Sequence, residues 1–174
     1  MLSAGLLIAR LVFGLSIGAH GTQKLFGWFG GYGLAGTGGF FEQLGFRPGR
    51  LFVALAGSAE TVAGLLLALG LLGPVGPALM LSVMIVAAAT VHRGKGFFAT
   101  TNGIELPLLY ATAGVALALT GAGPYSLDAR LGLEAVHSPT FTAVALAAGV
   151  IGAIGNLAAR RPAPAATSVG VGTT

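Results

Sequence analysis

The chain contains no cysteine, so it can form no disulfide, thiolate metal site or iron–sulfur cluster, and it cannot itself carry out thiol–disulfide exchange. Any redox role must therefore use a bound cofactor or a partner. Charge is almost as scarce. Only 8% of the 174 residues are Asp, Glu, Lys or Arg, where soluble domains run near about 25%. With 55% hydrophobic residues and a mean hydropathy of +0.88, the composition is that of an all-α integral membrane protein whose first partner is the lipid bilayer. A net charge of +4 would suggest nucleic acid in a soluble chain. Here the basic residues flank hydrophobic runs, where the positive-inside rule accounts for them, and no nucleic-acid partner is expected.

Five apolar stretches meet the length of about 20 residues needed to cross a bilayer. They run over residues 2–19, 51–72, 74–91, 104–120 and 139–159. The second and third are joined by Leu71-Leu72-Gly73-Pro74, which allows only a tight antiparallel turn. The first is a poor cleavable signal, because no basic residue precedes its apolar core and Arg10 interrupts it. Seven basic residues, Lys24, Arg47, Arg50, Arg93, Lys95, Arg160 and Arg161, share one side if there are five crossings. Arg130 alone falls on the other. This asymmetry predicts a plasma-membrane protein with its N-terminus outside and its C-terminus in the cytoplasm. Residues 128–138 are then an extracytoplasmic loop, and residues 160–174, rich in Ala, Pro, Gly, Ser and Thr, read as a disordered cytoplasmic tail.

Arg10 and Glu60 stand inside the first two apolar runs. Each alone facing lipid would cost roughly 2.5–3.5 kcal/mol on insertion scales, so each needs a partner. Measured along the helices, Arg10 lies about 15 Å from His20 and Glu60 about 15 Å from Arg50, at similar depth if His20 and Arg50 mark the cytoplasmic ends. Small residues surround both: Ala56, Gly57, Ala63 and Gly64 around Glu60, Gly14 and Gly18 beyond Arg10. Such faces pack closely against other helices. The expectation is an Arg10–Glu60 ion pair near the midplane, serving either as a structural device that fixes register or as the lining of a cavity for a polar head group or proton path.

A second polar group lies toward the predicted cytoplasmic side. Ser16, His20 and Lys24 are spaced four apart and share a face if the first helix continues that far. His92 ends the third span and Glu105 opens the fourth. Imidazole and carboxylate relay protons readily, although each histidine alone also suits an interfacial position. The first loop, Gly21 to Pro48, holds Phe26, Trp28, Phe29, Tyr32, Phe40, Phe41 and Phe46, seven of the 14 aromatics, a density suited to the membrane interface. Gly31-Tyr32-Gly33-Leu34-Ala35-Gly36 matches the dinucleotide pattern in form only, since no strand precedes it. No metal, haem or flavin motif is evident.

The ordered series of Arg10, His20-Gly21-Thr22-Gln23-Lys24-Leu25-Phe26-Gly27, Glu60 with Gly64, and His92 with Gly96-Phe97-Phe98 and Gly103-Ile104-Glu105 resembles the DoxX family of small bacterial and archaeal membrane proteins. The resemblance covers Met1 to Leu127. It implies a four-helix membrane bundle acting as an oxidoreductase component, similar to membrane subunits of thiosulfate:quinone oxidoreductase, with a fifth transmembrane helix at residues 139–159 as this chain's departure. It also implies that Arg10, His20, Lys24, Glu60, His92 and Glu105 form the polar core, without assigning a catalytic residue.

The resulting expectation is a membrane subunit of a redox system that binds a quinone, with a redox protein partner supplying electrons. His20 and Lys24 would hydrogen-bond a carbonyl oxygen, Arg10 and Glu60 shape the deep pocket, and His92 and Glu105 pass protons. Two other readings compete: a scaffold that assembles redox enzymes through exposed Arg93 and Lys95, and a small transporter or proton path. Small-residue runs such as Ala147-Ala148-Gly149 and Gly152-Ala153 also permit a homo-oligomer.

Overall fold

The computed structural model describes residues 1–161, which are helical throughout, with no strand among them. Seven α-helices follow one another: α1 (Leu2–Phe26), α2 (Gly33–Gln43), α3 (Gly49–Leu69), α4 (Val75–Thr90), α5 (Glu105–Thr120), α6 (Leu127–Leu131) and α7 (Pro139–Ala158). The tail from residue 162 lies outside the described residues.

Three helices, α1, α3 and α7, are long and apolar enough to cross a membrane, while α4 and α5 are apolar but shorter. At 1.5 Å per residue, the 16-residue α4 and α5 reach about 24 Å, less than the ~30 Å hydrocarbon layer. All five expected apolar stretches are helices, and two of them, α4 and α5, are shorter than the sequence stretches assigned to them. The reason lies in their ends: Pro74 and the glycine turn before it stop α4 on one side, and the Gly94–Gly103 loop separates α4 from α5 on the other. Position compensates for length, because α4 packs against α3, α5 and α7 together and is shielded by them. Leu15, Leu55, Val62, Leu65, Leu109, Leu119, Val144 and Ile151 face outward from the bundle. An outward apolar surface on helices that satisfy their own backbone hydrogen bonds is that of a membrane protein.

The register of α1 against α3 is set by glycine. A Cβ added to Gly14 would stand 2.8 Å from the Gly64 carbonyl oxygen and 2.7 Å from the Ala68 nitrogen, and one on Gly64 would stand 2.7 Å from the Gly18 nitrogen. The two backbones touch, as small residues allow in membranes. Because Gly14 meets Ala68 while Gly21 meets Gly57 and Thr61, the helices are antiparallel. Gly76 against Leu66 and Leu67, and Gly149 and Gly152 against Ala78 and Ser82, make α4 antiparallel to α3 and parallel to α7.

The helix α1 also runs seven residues past the apolar stretch assigned to it. Its end is a left-handed Gly27, whose N–H bonds to the Gln23 carbonyl, a C-cap that glycine makes without steric cost. His20 and Lys24 are therefore helical, and Arg10 sits at the far end of α1, about 24 Å from Phe26. The first loop is correspondingly short and folds into a 3-10 turn (Trp28–Gly30) and α2. Residues Gly33–Gln43 are helical, so the glycine pattern there cradles no nucleotide in a strand–turn–helix unit.

Candidate functional site

The expected Arg10–Glu60 pair does not form. With Gly21 at the level of Gly57 and Thr61, Glu60 faces the last turns of α1, where the available cation is Lys24. Helical side chains lean toward their own N-termini, so on antiparallel helices the Lys24 and Glu60 side chains lean toward each other. Lys24 Nζ donates to Glu60 Oε1 at 2.7 Å and Oε2 at 2.5 Å. Glu60 is 3% exposed, and this charge-assisted contact is what admits a carboxylate between apolar helices.

Arg10 belongs to a different knot, at the other end of the bundle. It is 2% exposed, and its Nη2 donates to the Tyr125 carbonyl at 2.6 Å. Asp128 in α6 acts on it electrostatically without an ion-pair contact, and the Nε and Nη1 of Arg10 are buried with no hydrogen-bond partner among the described residues. The guanidinium lies over Gly70, where any Cβ would collide with Nη1. Asp128 is itself engaged: its oxygens accept from the backbone N–H of Leu72 at 2.8 Å and Gly73 at 2.7 Å, and from His137 Nε2 at 3.0 Å. Gly70, Leu72 and Gly73 all have positive φ, and consecutive N–H groups in such a turn converge on an anion. The knot ties the α3–α4 turn to α1 and to the segment before α7. A cavity of about 320 Å³ lies beside it, lined by Asp128, Glu134 and His137 among others.

A larger cavity, about 690 Å³, opens at the Lys24 end, within the 300–1,000 Å³ typical of small-molecule sites. Most of its wall is apolar, including Ile17, Phe41, Phe46, Leu55, Val83 and Met84. Lys24 and Glu60 are on that wall, and so are His20 and His92. Of the six residues singled out from sequence, these four come together around one space. Arg10 and Glu105 do not line it. Glu105 Oε2 instead accepts from the Ala99 N–H at 2.7 Å, holding the loop between α4 and α5.

Two hydrogen-bonding details bear on chemistry. An ammonium has three N–H donors; two of Lys24's go to Glu60, and the third meets only the His20 carbonyl at 3.5 Å, at the limit of a hydrogen bond. His92 Nδ1 lies 2.7 Å from the Asn102 carbonyl oxygen. A carbonyl can only accept, so Nδ1 carries the proton and a neutral His92 keeps Nε2 as an acceptor.

A family model for DoxX matches residues 5–93, just over half of the 174-residue chain. The chain belongs to the DoxX family. No curated protein and no solved structure matches it. The DoxX match contains Arg10, His20, Lys24, Glu60 and His92, and stops short of Glu105.

Six polar residues on the cavity wall escaped the sequence reading: Thr37, Ser82, Thr90, Asn102, Tyr110 and Asn156. Tyr110 stacks edge-on to Phe13, with ring centroids 5.4 Å apart, and approaches His20 at 6.5 Å. A tyrosine inside an apolar run is a legible signal, since its hydroxyl needs a partner or a polar space. Asn156 in α7 carried the same signal. No group of three or more His, Asp or Glu gathers in metal-binding geometry among the described residues.

Proposed function

We propose that this DoxX protein is a membrane subunit of a redox system that binds a quinone in the 690 Å³ cavity, with a partner protein supplying electrons. The observation that carries the proposal is the pairing of a mainly apolar cavity with one polar flank: Lys24–Glu60, His20, His92 and Tyr110. A quinone has that division itself, two carbonyl oxygens on a ring with an apolar tail. The third Lys24 N–H, weakly held, is available to a head-group oxygen. Glu60 keeps that lysine aimed along the cavity wall. Two-electron reduction of a quinone also takes up two protons, and His92, bridging the cavity wall and the Asn102 carbonyl, is placed to hand them inward from the loop. Glu105 serves that route by holding the loop. Without cysteine, the chain cannot exchange thiols, so electrons arrive from outside it.

The seven basic residues cluster at the cavity end, and under the positive-inside rule that end faces the cytoplasm of the cell membrane. Purified protein titrated with decylubiquinone is expected to bind, and His20→Ala and Glu60→Gln to weaken binding by about 3- to 10-fold each, the value of one hydrogen bond of about 0.5–1.5 kcal/mol. Unchanged affinity in both variants would remove this site from consideration.

A further inference from the structure

Beyond the stretch that carries the family match, four residues spaced three or four apart follow one another: Gly149, Gly152 and Asn156 in α7, and Arg160 two residues past its end. The two glycines meet α4, Asn156 the large cavity and Arg160 the α2–α3 turn. A Cβ on Gly149 would stand 2.5 Å from the Ala78 carbonyl oxygen, so the glycines press α7 against the backbone of α4. Asn156, one turn further, lines the large cavity. Arg160, one turn beyond that, donates from Nε to the Leu44 carbonyl at 2.9 Å and lies over the Phe46 ring at 5.6 Å, while the Arg161 N–H bonds to the Gly45 carbonyl at 2.7 Å. Leu44 and Phe46 are themselves cavity wall. The residues read from sequence as the start of a disordered tail are thus, at positions 160 and 161, a clasp across the α2–α3 turn.

We propose that α7 is a working wall of the ligand cavity and that Asn156 hydrogen-bonds the ligand's polar end, favouring amphiphiles that carry an oxygen there. A carboxamide in an apolar membrane helix is costly unless it has a partner, and interhelical hydrogen bonding is the usual remedy. Asn156 does not use that remedy: none of the side-chain hydrogen bonds among the described residues involves it. Its partner is then the content of the cavity. The glycine pair brings α7 close enough for the side chain to reach, and the Arg160 clasp fixes the aromatic wall beside it. This inference rests on the quinone-site reading and extends it to an element outside the matched family segment.

The test compares two probes on wild-type protein, Asn156→Leu and Asn156→Ala: decylubiquinone, and the corresponding decyl-substituted arene that lacks both carbonyl oxygens. Both variants are expected to weaken decylubiquinone by about 3- to 10-fold, as for one lost hydrogen bond, and to leave the arene unchanged. The alanine variant guards against a mere steric effect of leucine. Wild-type binding with decylubiquinone affinity unaltered in both variants, or with both probes weakened alike, would overturn this inference and leave the site reading intact. Absence of decylubiquinone binding to the wild type would overturn both.

Discussion

Asp128→Ala is expected to destabilise the purified protein by about 2–6 kcal/mol, roughly 1–3 kcal/mol for each of the two backbone N–H groups left without an acceptor. The substitution removes the negative charge that acts on the buried Arg10 guanidinium. It also takes away the partner of His137 Nε2. Leu72 has φ 60°, a left-handed conformation costly for a branched residue and kept only when its surroundings enforce it. Asp128→Asn, which retains one acceptor oxygen, is expected to fall between wild type and alanine. Thermal unfolding in detergent gives the order. Adding Arg10→Met to Asp128→Ala is expected to recover part of the loss, since the uncompensated charge goes with it. An Asp128→Ala protein as stable as wild type would mean that the knot does not hold the α3–α4 turn.

The second large effect concerns the Lys24–Glu60 pair. Lys24→Ala leaves Glu60 buried among apolar helices, with an expected loss toward the lower end of about 3–5 kcal/mol because Lys24 is partly exposed. Glu60→Gln in the same background is expected to restore most of it. A double-mutant cycle on denaturation midpoints separates this account from the one read from sequence: coupling of about 0.5–3 kcal/mol between Lys24 and Glu60, and none beyond error between Arg10 and Glu60. The opposite pattern would return Arg10 to Glu60.

That error has an identifiable origin. The α3, α4 and α7 segments were legible because their apolar runs are bounded by glycine or proline, as at Gly73, Pro74 and Pro139. The end of α1 was not, because Gly21, Thr22, Gln23 and Lys24 interrupt the hydropathy while the helix continues to Gly27. Measuring depth from His20 put Arg10 level with Glu60; measuring it from Phe26 puts Arg10 level with Gly70. The four-residue spacing of Ser16, His20 and Lys24 already held the correction. Similarly, His20, Lys24, Glu60 and His92 could be named as polar residues in an apolar chain, but their gathering around one cavity depends on the glycine register of α1 on α3. Asn156 could likewise have been noticed as a polar residue in an apolar run, but its place on the cavity wall and the contacts of Arg160 could not, since α7 meets α4, and Arg160 the α2–α3 turn, across long stretches of sequence. Asp128 was hidden for the same reason: its partners are the backbone N–H groups of a distant turn, which no side-chain pattern announces.

Native mass spectrometry of the protein extracted in mild detergent tests the central claim most directly, because it reads the cavity's occupant without choosing a probe. The wild type is expected to retain an adduct with the mass of an isoprenoid quinone, and a Lys24→Met, Glu60→Gln protein that remains folded is expected to lose it. A wild type with no quinone adduct, or an adduct kept equally by the double variant, would contradict the assignment of the Lys24–Glu60 cavity as a quinone site.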